Sequence, residues 1–137
     1  MDRCTETTGI PADDRVTRLP HRYPSAAAID QLCELIAITV AAAFAVPLAE
    51  MRASTRRPRA IAFARQSAMY VAHVSFGLTL TDVGRAFGRD RTTAAYACEQ
   101  IEYGRDDPVL DAALEALEHA CGKLANCIDT GQERVSA

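Results

Sequence analysis

The residues best placed to do chemistry are Gly88-Arg89-Asp90-Arg91-Thr92-Thr93. Arginine offers a planar fork of donors that fits a phosphate or the edge of guanine. Threonine can donate or accept, and its methyl can touch the methyl of thymine. Asp90 is a candidate N-cap, and the unbonded N–H groups of a first helical turn favour an anion. A second cluster is Arg56-Arg57-Pro58-Arg59, a basic loop suited to lie along phosphates or to place an arginine in a narrow, electronegative groove. Arg65-Gln66 follows, with phosphate positioning as its functional reading. Each motif has a plainer alternative: a helix cap with polar residues on a solvated face, a solvated loop, and a surface pair.

These motifs need elements to hold them. Ser25 is a plausible cap for a helix to about Ala45, with Ile29, Leu32, Cys33, Ile36 and Val40 at helical spacing and Pro47 as its stop. Leu48–Ala53 can form a short helical turn. The next long helix is expected from about Ala60 to Ser75, stopping at Gly77. Thr81 is the expected cap of a short helix through Val83, Ala86 and Phe87 that ends at Gly88. A further helix starts after Asp90, carries Ala94, Ala97, Cys98 and Ile101 inward, and ends at Gly104. The spacing Leu80, Val83, Phe87 followed by Ala94, Ala97, Ile101 lets both helices bury one face on a common core. That is a helix-turn-helix, at about residues 80–104, whose second helix would present its N-terminal turn to a major groove. Asp107-Pro108 opens a last helix, expected to run to about Ala125.

The expectation is an all-α domain of about five helices over residues 25–125, between a flexible tail at 1–24 and a frayed tail at 126–137. Alanine and leucine dominate the apolar residues, which suits close-packed helices. The formal net charge of the 137 residues is −3, yet residues 51–105 sum to +5, residues 1–50 to −3 and residues 106–137 to −5. Anion binding depends on the local field of the contacting face, so a basic middle is compatible with nucleic acid. Nearly all the positive charge is arginine, Lys123 being the lone lysine. Five cysteines without a C-x-x-C pair argue against a disulfide framework and for a reduced, cytoplasmic setting. The N-terminus has early acids and no apolar run of the signal-peptide kind. The apolar stretch Leu35–Ala49 contains Pro47 and is flanked by Glu34 and Glu50, which fits a buried helix better than a membrane span.

From about Ile29 to Arg105 the chain resembles the C-terminal DNA-binding domain, domain IV, of the bacterial chromosomal replication initiator DnaA. The resemblance rests on Arg56-Arg57-Pro58-Arg59, on Ala64-Arg65-Gln66-Ser67-Ala68-Met69-Tyr70 and on Phe87 to Thr93, continued by Ala97, Cys98 and Ile101. It implies an initiator C-terminal-domain fold, similar to the Trp repressor, that binds double-stranded DNA at initiator-box-like sites. It further implies that Arg57, beside Arg56 and Arg59, enters the minor groove. Arg65 and Gln66 would lie near the backbone, and Arg89, Asp90, Arg91, Thr92 and Thr93 would read major-groove bases. The chain departs from the family where Arg91 replaces the signature histidine, where Gly88 stands alone before the arginine, and where Ala94 replaces an aliphatic residue.

The function expected is sequence-specific binding of duplex DNA, regulating transcription or replication initiation from the nucleoid. No G-x-x-x-x-G-K-[ST] phosphate loop occurs in the sequence, so no ATPase activity is expected. The alternative is an interaction or dimerisation module that has kept the fold and lost specific DNA binding, with a homodimer or protein partner held by the C-terminal helix. No enzymatic activity, cofactor or metal is expected. His21, His73 and His119 are scattered, His119-Ala-Cys121 is too sparse for zinc, and Asp106-Asp107 reads as a helix start.

Overall fold

Ser25 opens the first helix, α1 (Ala26–Phe44), where the N–H of Ala28 donates to Ser25 Oγ at 3.1 Å. Ala45 ends it in the left-handed region at φ 56°, and the N–H of Val46 returns to the Ala41 carbonyl. Pro47 then starts the short α2 (Leu48–Arg52). The structure, a computed structural model, describes residues 25–52 and 58–136, with side chains described as far as Cys127. The expected tail at 1–24 and the basic-loop arginines Arg56 and Arg57 lie outside the described residues.

Pro58 occupies the N-cap position of α3 (Arg59–Tyr70) without a side-chain cap bond. A proline there loses nothing, because a first-turn N–H has no helical partner to bond. The expected helix to Ser75 is present, but its last turn, Val71–Ser75, is a π-helix, in which the Phe76 N–H reaches the Val71 carbonyl at 3.3 Å. Gly77 at φ 73° turns the chain, and the N–H of Leu78 bonds the Ala72 carbonyl. His73 Nδ1 lies 2.7 Å from the Leu78 carbonyl, so that nitrogen carries the proton and donates it.

The cap of α4 (Leu80–Ala86) is Thr79 rather than the expected Thr81: its Oγ1 accepts from the Asp82 N–H at 3.1 Å. Capping two residues earlier places Leu80 in the helix, where it packs on the core, and sets Asp82 in the positive first turn. Asp90 caps α5 (Arg91–Gly104) as the sequence suggests, its Oδ1 accepting from the Thr93 N–H at 2.7 Å. The last helix, α6 (Pro108–Ser136), does not stop near Ala125. No proline follows Pro108, and a helix already nucleated on the core extends at little further entropic cost per residue.

The described residues contain no strand, and the fold is all-α. The core draws on every helix: Ile36 and Val40 of α1, Met51 of α2, Met69 of α3, Val83 of α4, Ile101 of α5, and Leu114 and Cys121 of α6. Burying one such large side chain contributes about 1.5–3 kcal/mol. The packed helices α3 and α5 both bury small residues, Ala64 and Ala68 on one and Ala94 and Ala97 on the other. Small residues let two helix backbones approach closely, so this pairing is set by the absence of bulk. By length and a mean hydropathy of 1.7, α1 could cross a membrane. Here Ile29, Leu32, Cys33, Ile36, Ala37, Val40 and Ala41 form its buried stripe, as in the core helix of a globular domain.

Candidate nucleic-acid interface

The helix-turn-helix is built by two glycines that act differently. At Gly88 the backbone takes φ 70°, where a side chain would be strained. At Gly84, inside α4, the limit is space: a Cβ would sit 2.8 Å from the Arg89 carbonyl oxygen and 2.9 Å from that of Asp90. The N–H of Arg89 bonds the Gly84 carbonyl at 2.7 Å, so the turn folds flat against α4. Gly84 is a positioning residue that the motif reading missed. The available signal was a glycine inside a seven-residue helix, which costs about 1 kcal/mol relative to alanine and so marks close backbone approach.

That turn fixes where α5 begins. Ala94, Ala97 and Ile101 are buried, so the opposite face points outward. Arg91, Thr92 and Thr93 are exposed on the first turn, with Asp90 exposed beneath them as the cap and Arg89 half-buried in the turn. The Asp90 carboxyl is held below the usual carboxylate range by the N–H of Thr93 first, then by the Thr93 hydroxyl and the Thr92 N–H. The charge–dipole pairing therefore favours an ionised cap at neutral pH.

The remaining sequence-predicted positions divide. Arg59 is exposed on the first turn of α3. Gln66 is half-buried on the same helix. The side chain of Arg65 is turned towards the protein: its Nε donates to the Met51 carbonyl at 2.8 Å and its Nη2 to that of Glu50 at 3.4 Å. It thereby ties α3 to the C-terminal end of α2, just before the segment that carries Arg56 and Arg57. Met51 and Arg52 in turn line a cavity of about 250 Å³ with Ala86, Phe87 and Gly88 of the helix-turn-helix. At the other end of the domain, Tyr70 of α3 donates to Glu102 of α5 at 2.7 Å and accepts from Arg105 at 3.0 Å. This network joins the C-terminal ends of α3 and α5.

The structure also redistributes the positive charge. Arg52 pairs with Glu34, Arg85 with Asp30 at 3.0 Å, and Arg105 with Asp111 at 2.5 Å and Glu118 at 3.4 Å. Arg105 is largely covered and lies 5.7 Å from the centre of the Tyr70 ring, so it holds the α5–α6 junction. Burial, then the bond to Glu102, pushes the Tyr70 phenol up to about 12, so it stays protonated as the donor in this network. These three arginines belong to internal or inter-helix pairs. Among the described residues no group of three or more His, Cys, Asp or Glu could hold a metal ion. Cys33, Cys98, Cys121 and Cys127 are unpaired thiols, and burial first of all pushes Cys33 and Cys98 up to about 12 and Cys121 to about 11. Thiols so shifted are inert packing groups.

Residues 33–101, from the middle of α1 to the third turn of α5, match the family described as the bacterial dnaA protein helix-turn-helix. The chromosomal replication initiator protein DnaA of Caulobacter sp. (strain K31) is 50% identical over 66 residues, covering 47% of this chain and 14% of that protein. Its counterpart in Microcystis aeruginosa is 38% identical over 83 residues, covering 60% of this chain and 18% of that protein. The Bartonella quintana initiator is 40% identical over 74 residues, covering 53% of this chain and 15% of that protein. This chain thus spans less than a fifth of the length of these relatives. With the match covering half of the chain and both helices of the motif, the protein belongs to the family of the bacterial DnaA helix-turn-helix.

Proposed function

We propose that this protein binds duplex DNA at specific sequences, reading major-groove bases with the first turn of α5 and holding flanking phosphates or the minor groove with the arginines at 56, 57 and 59. The observation that carries this reading is the exposure of Arg91, Thr92 and Thr93 on a helix start that Asp90, Gly84 and Gly88 hold rigidly. A side chain used for base reading must reach a defined depth with little freedom, and a capped first turn on a packed helix supplies that. Arg89 and Gln66 are assigned to the same interface. Arg65 acts by positioning the basic segment, and any phosphate contact it makes comes from the rest of its guanidinium. The named relatives are replication initiators, which supports a role in regulating replication initiation, or transcription from similar sites, within the cytoplasm at the nucleoid. With no G-x-x-x-x-G-K-[ST] phosphate loop in these 137 residues, the reading assigns them no ATPase activity.

Selection from random duplexes followed by titration tests this. The preferred duplex is expected to bind with a Kd that weakens steeply as salt rises, because arginine–phosphate contacts release counterions. Thr92→Ala and Arg57→Ala are each expected to lose about 1–3 kcal/mol of discrimination. No enriched sequence, or binding indifferent to salt and to both substitutions, would defeat the proposal. A second reading, a homodimer or protein partner held by α6, draws support from the continuation of that helix beyond Ala125, the last residue of α6 seen in the core.

A further inference from the structure

Beyond its first turn, the outward face of α5 carries two large side chains that the core does not use: Tyr96 is 56% exposed and Tyr103 81% exposed. Tyr96 follows Thr92 by four residues, which places it about 40° around the helix and about 6 Å along the axis. It therefore shares the face of the proposed reading residues, one turn back from the tip. The charge on that face then changes sign. Arg89 and Arg91 stand at the start of α5, whereas Glu99, seven residues after Thr92 and so on the same face, is exposed, as are Asp106 and Asp107 just beyond the helix. Phosphates repel carboxylates at close range, so α5 can enter a groove only N-terminus first, with its rear half lifted away from the backbone. Tyr96 is then the last outward side chain before the first acid, at the level of the groove rim where phosphate oxygens lie. A phenol there is a neutral donor on a stiff side chain, suited to one phosphate oxygen.

We propose that the Tyr96 hydroxyl donates to a backbone phosphate at the rim of the groove, and that Glu99 marks the limit of the DNA-facing surface of α5. Tyr96 thus positions the reading turn and carries no sequence preference. This inference rests on the DNA-binding reading above and deepens it.

The experiment uses the full chain and the duplex selected for it, with fluorescence anisotropy over a salt series and thermal melts to confirm folding. Tyr96→Phe and Tyr96→Ala are expected to weaken binding alike, by about three- to tenfold, as loss of one hydrogen bond would. The loss should be equal on the selected and on a scrambled duplex. Glu99→Gln is expected to tighten binding at low salt, with a gain that fades as salt rises, while Glu115→Gln, at an exposed position of α6, leaves it unchanged. Wild-type affinity in Tyr96→Phe, a base preference shifted by either tyrosine variant, or equal effects of the two glutamate changes would overturn the inference. Thr92→Ala separates the two levels. If it abolishes discrimination while Tyr96→Phe binds normally, the inference fails and the DNA-binding reading stands. If the wild-type protein selects no duplex, the DNA-binding reading itself fails.

Discussion

Asp90 shows how one side chain connects folding to the reading turn. Its carboxyl is held low chiefly by the Thr93 N–H, so the folded form binds its proton less readily than the unfolded chain. The stability it supplies is complete above the unfolded value of about 3.9 and is lost as pH falls through the lower folded value. Asp90→Asn keeps an acceptor at the cap and removes the titration. The variant is expected to melt near the wild-type Tm at pH 7 and to lose less of its stability as the pH falls below the ordinary carboxylate range. Equal acid slopes would count against the ionised cap. Ser67 is the opposite case, since its Oγ is fully buried in α3 and makes no hydrogen bond. An orphaned buried hydroxyl costs about 1–3 kcal/mol, and alanine is also the better helix former. Ser67→Ala should raise the Tm by several degrees in a calorimetric scan, whereas a lower Tm would mean that the hydroxyl has found a partner.

At the level of the element, the helix-turn-helix depends on two glycines for separate reasons, and substitution can tell them apart. Gly84→Ala drives a Cβ against two backbone carbonyl oxygens that cannot rotate away. Such overpacking costs about 1–3 kcal/mol or shifts the turn bodily. At Gly88 an added Cβ meets nothing within 4 Å, so alanine there costs only the left-handed backbone, about 1–2 kcal/mol. Gly84→Ala is therefore expected to damage DNA affinity more than Gly88→Ala at a similar loss of Tm, because it displaces the start of α5 along with destabilising it. Melts paired with titrations on one duplex would show it, and identical affinity losses at matched stability would refute the distinction. The π turn at the end of α3 is the other local feature with a tertiary cause: Val71 and Ala72 are both buried, and the wider turn accompanies the His73–Leu78 bond that leads into α4.

On the scale of the molecule, α6 divides into a core half and an extension. Leu114, Leu117, Cys121 and Ala125 are buried, so removing the helix from Pro108 onward would strip the core of four apolar side chains and is expected to unfold the domain. Deleting residues 128–137 spares all four. That shorter chain is expected to keep its Tm within a few degrees and its DNA affinity unchanged, as seen by melts and titration. A change of oligomeric state in light scattering would instead assign the extension to partner binding. The charge distribution is a property of the whole molecule too. The net +5 of residues 51–105 overstates the field at the interface, because Arg52, Arg85 and Arg105 are matched by Glu34, Asp30, Asp111 and Glu118.

The sequence alone determined the helical class, the order of the elements, the Asp90 cap and the positions of the two short helices. Those features follow from apolar spacing, proline, glycine and capping residues, which act within a few residues of themselves. It also placed Arg91, Thr92 and Thr93 at a helix start, since a cap and an apolar stripe fix which residues face outward. Tertiary structure alone decided that Thr79 and not Thr81 caps α4, because burial of Leu80 selects between two adequate caps. It decided that Arg65 serves α2, that Arg105 serves the α5–α6 junction, and that Gly84 is where the turn meets α4. Arg65 depends on partners fourteen and fifteen residues away, Arg105 on partners up to thirty-five residues away, the Thr79 cap on the packing of Leu80 against the core, and Gly84 on the space between two packed backbones; none of these is encoded in a local pattern.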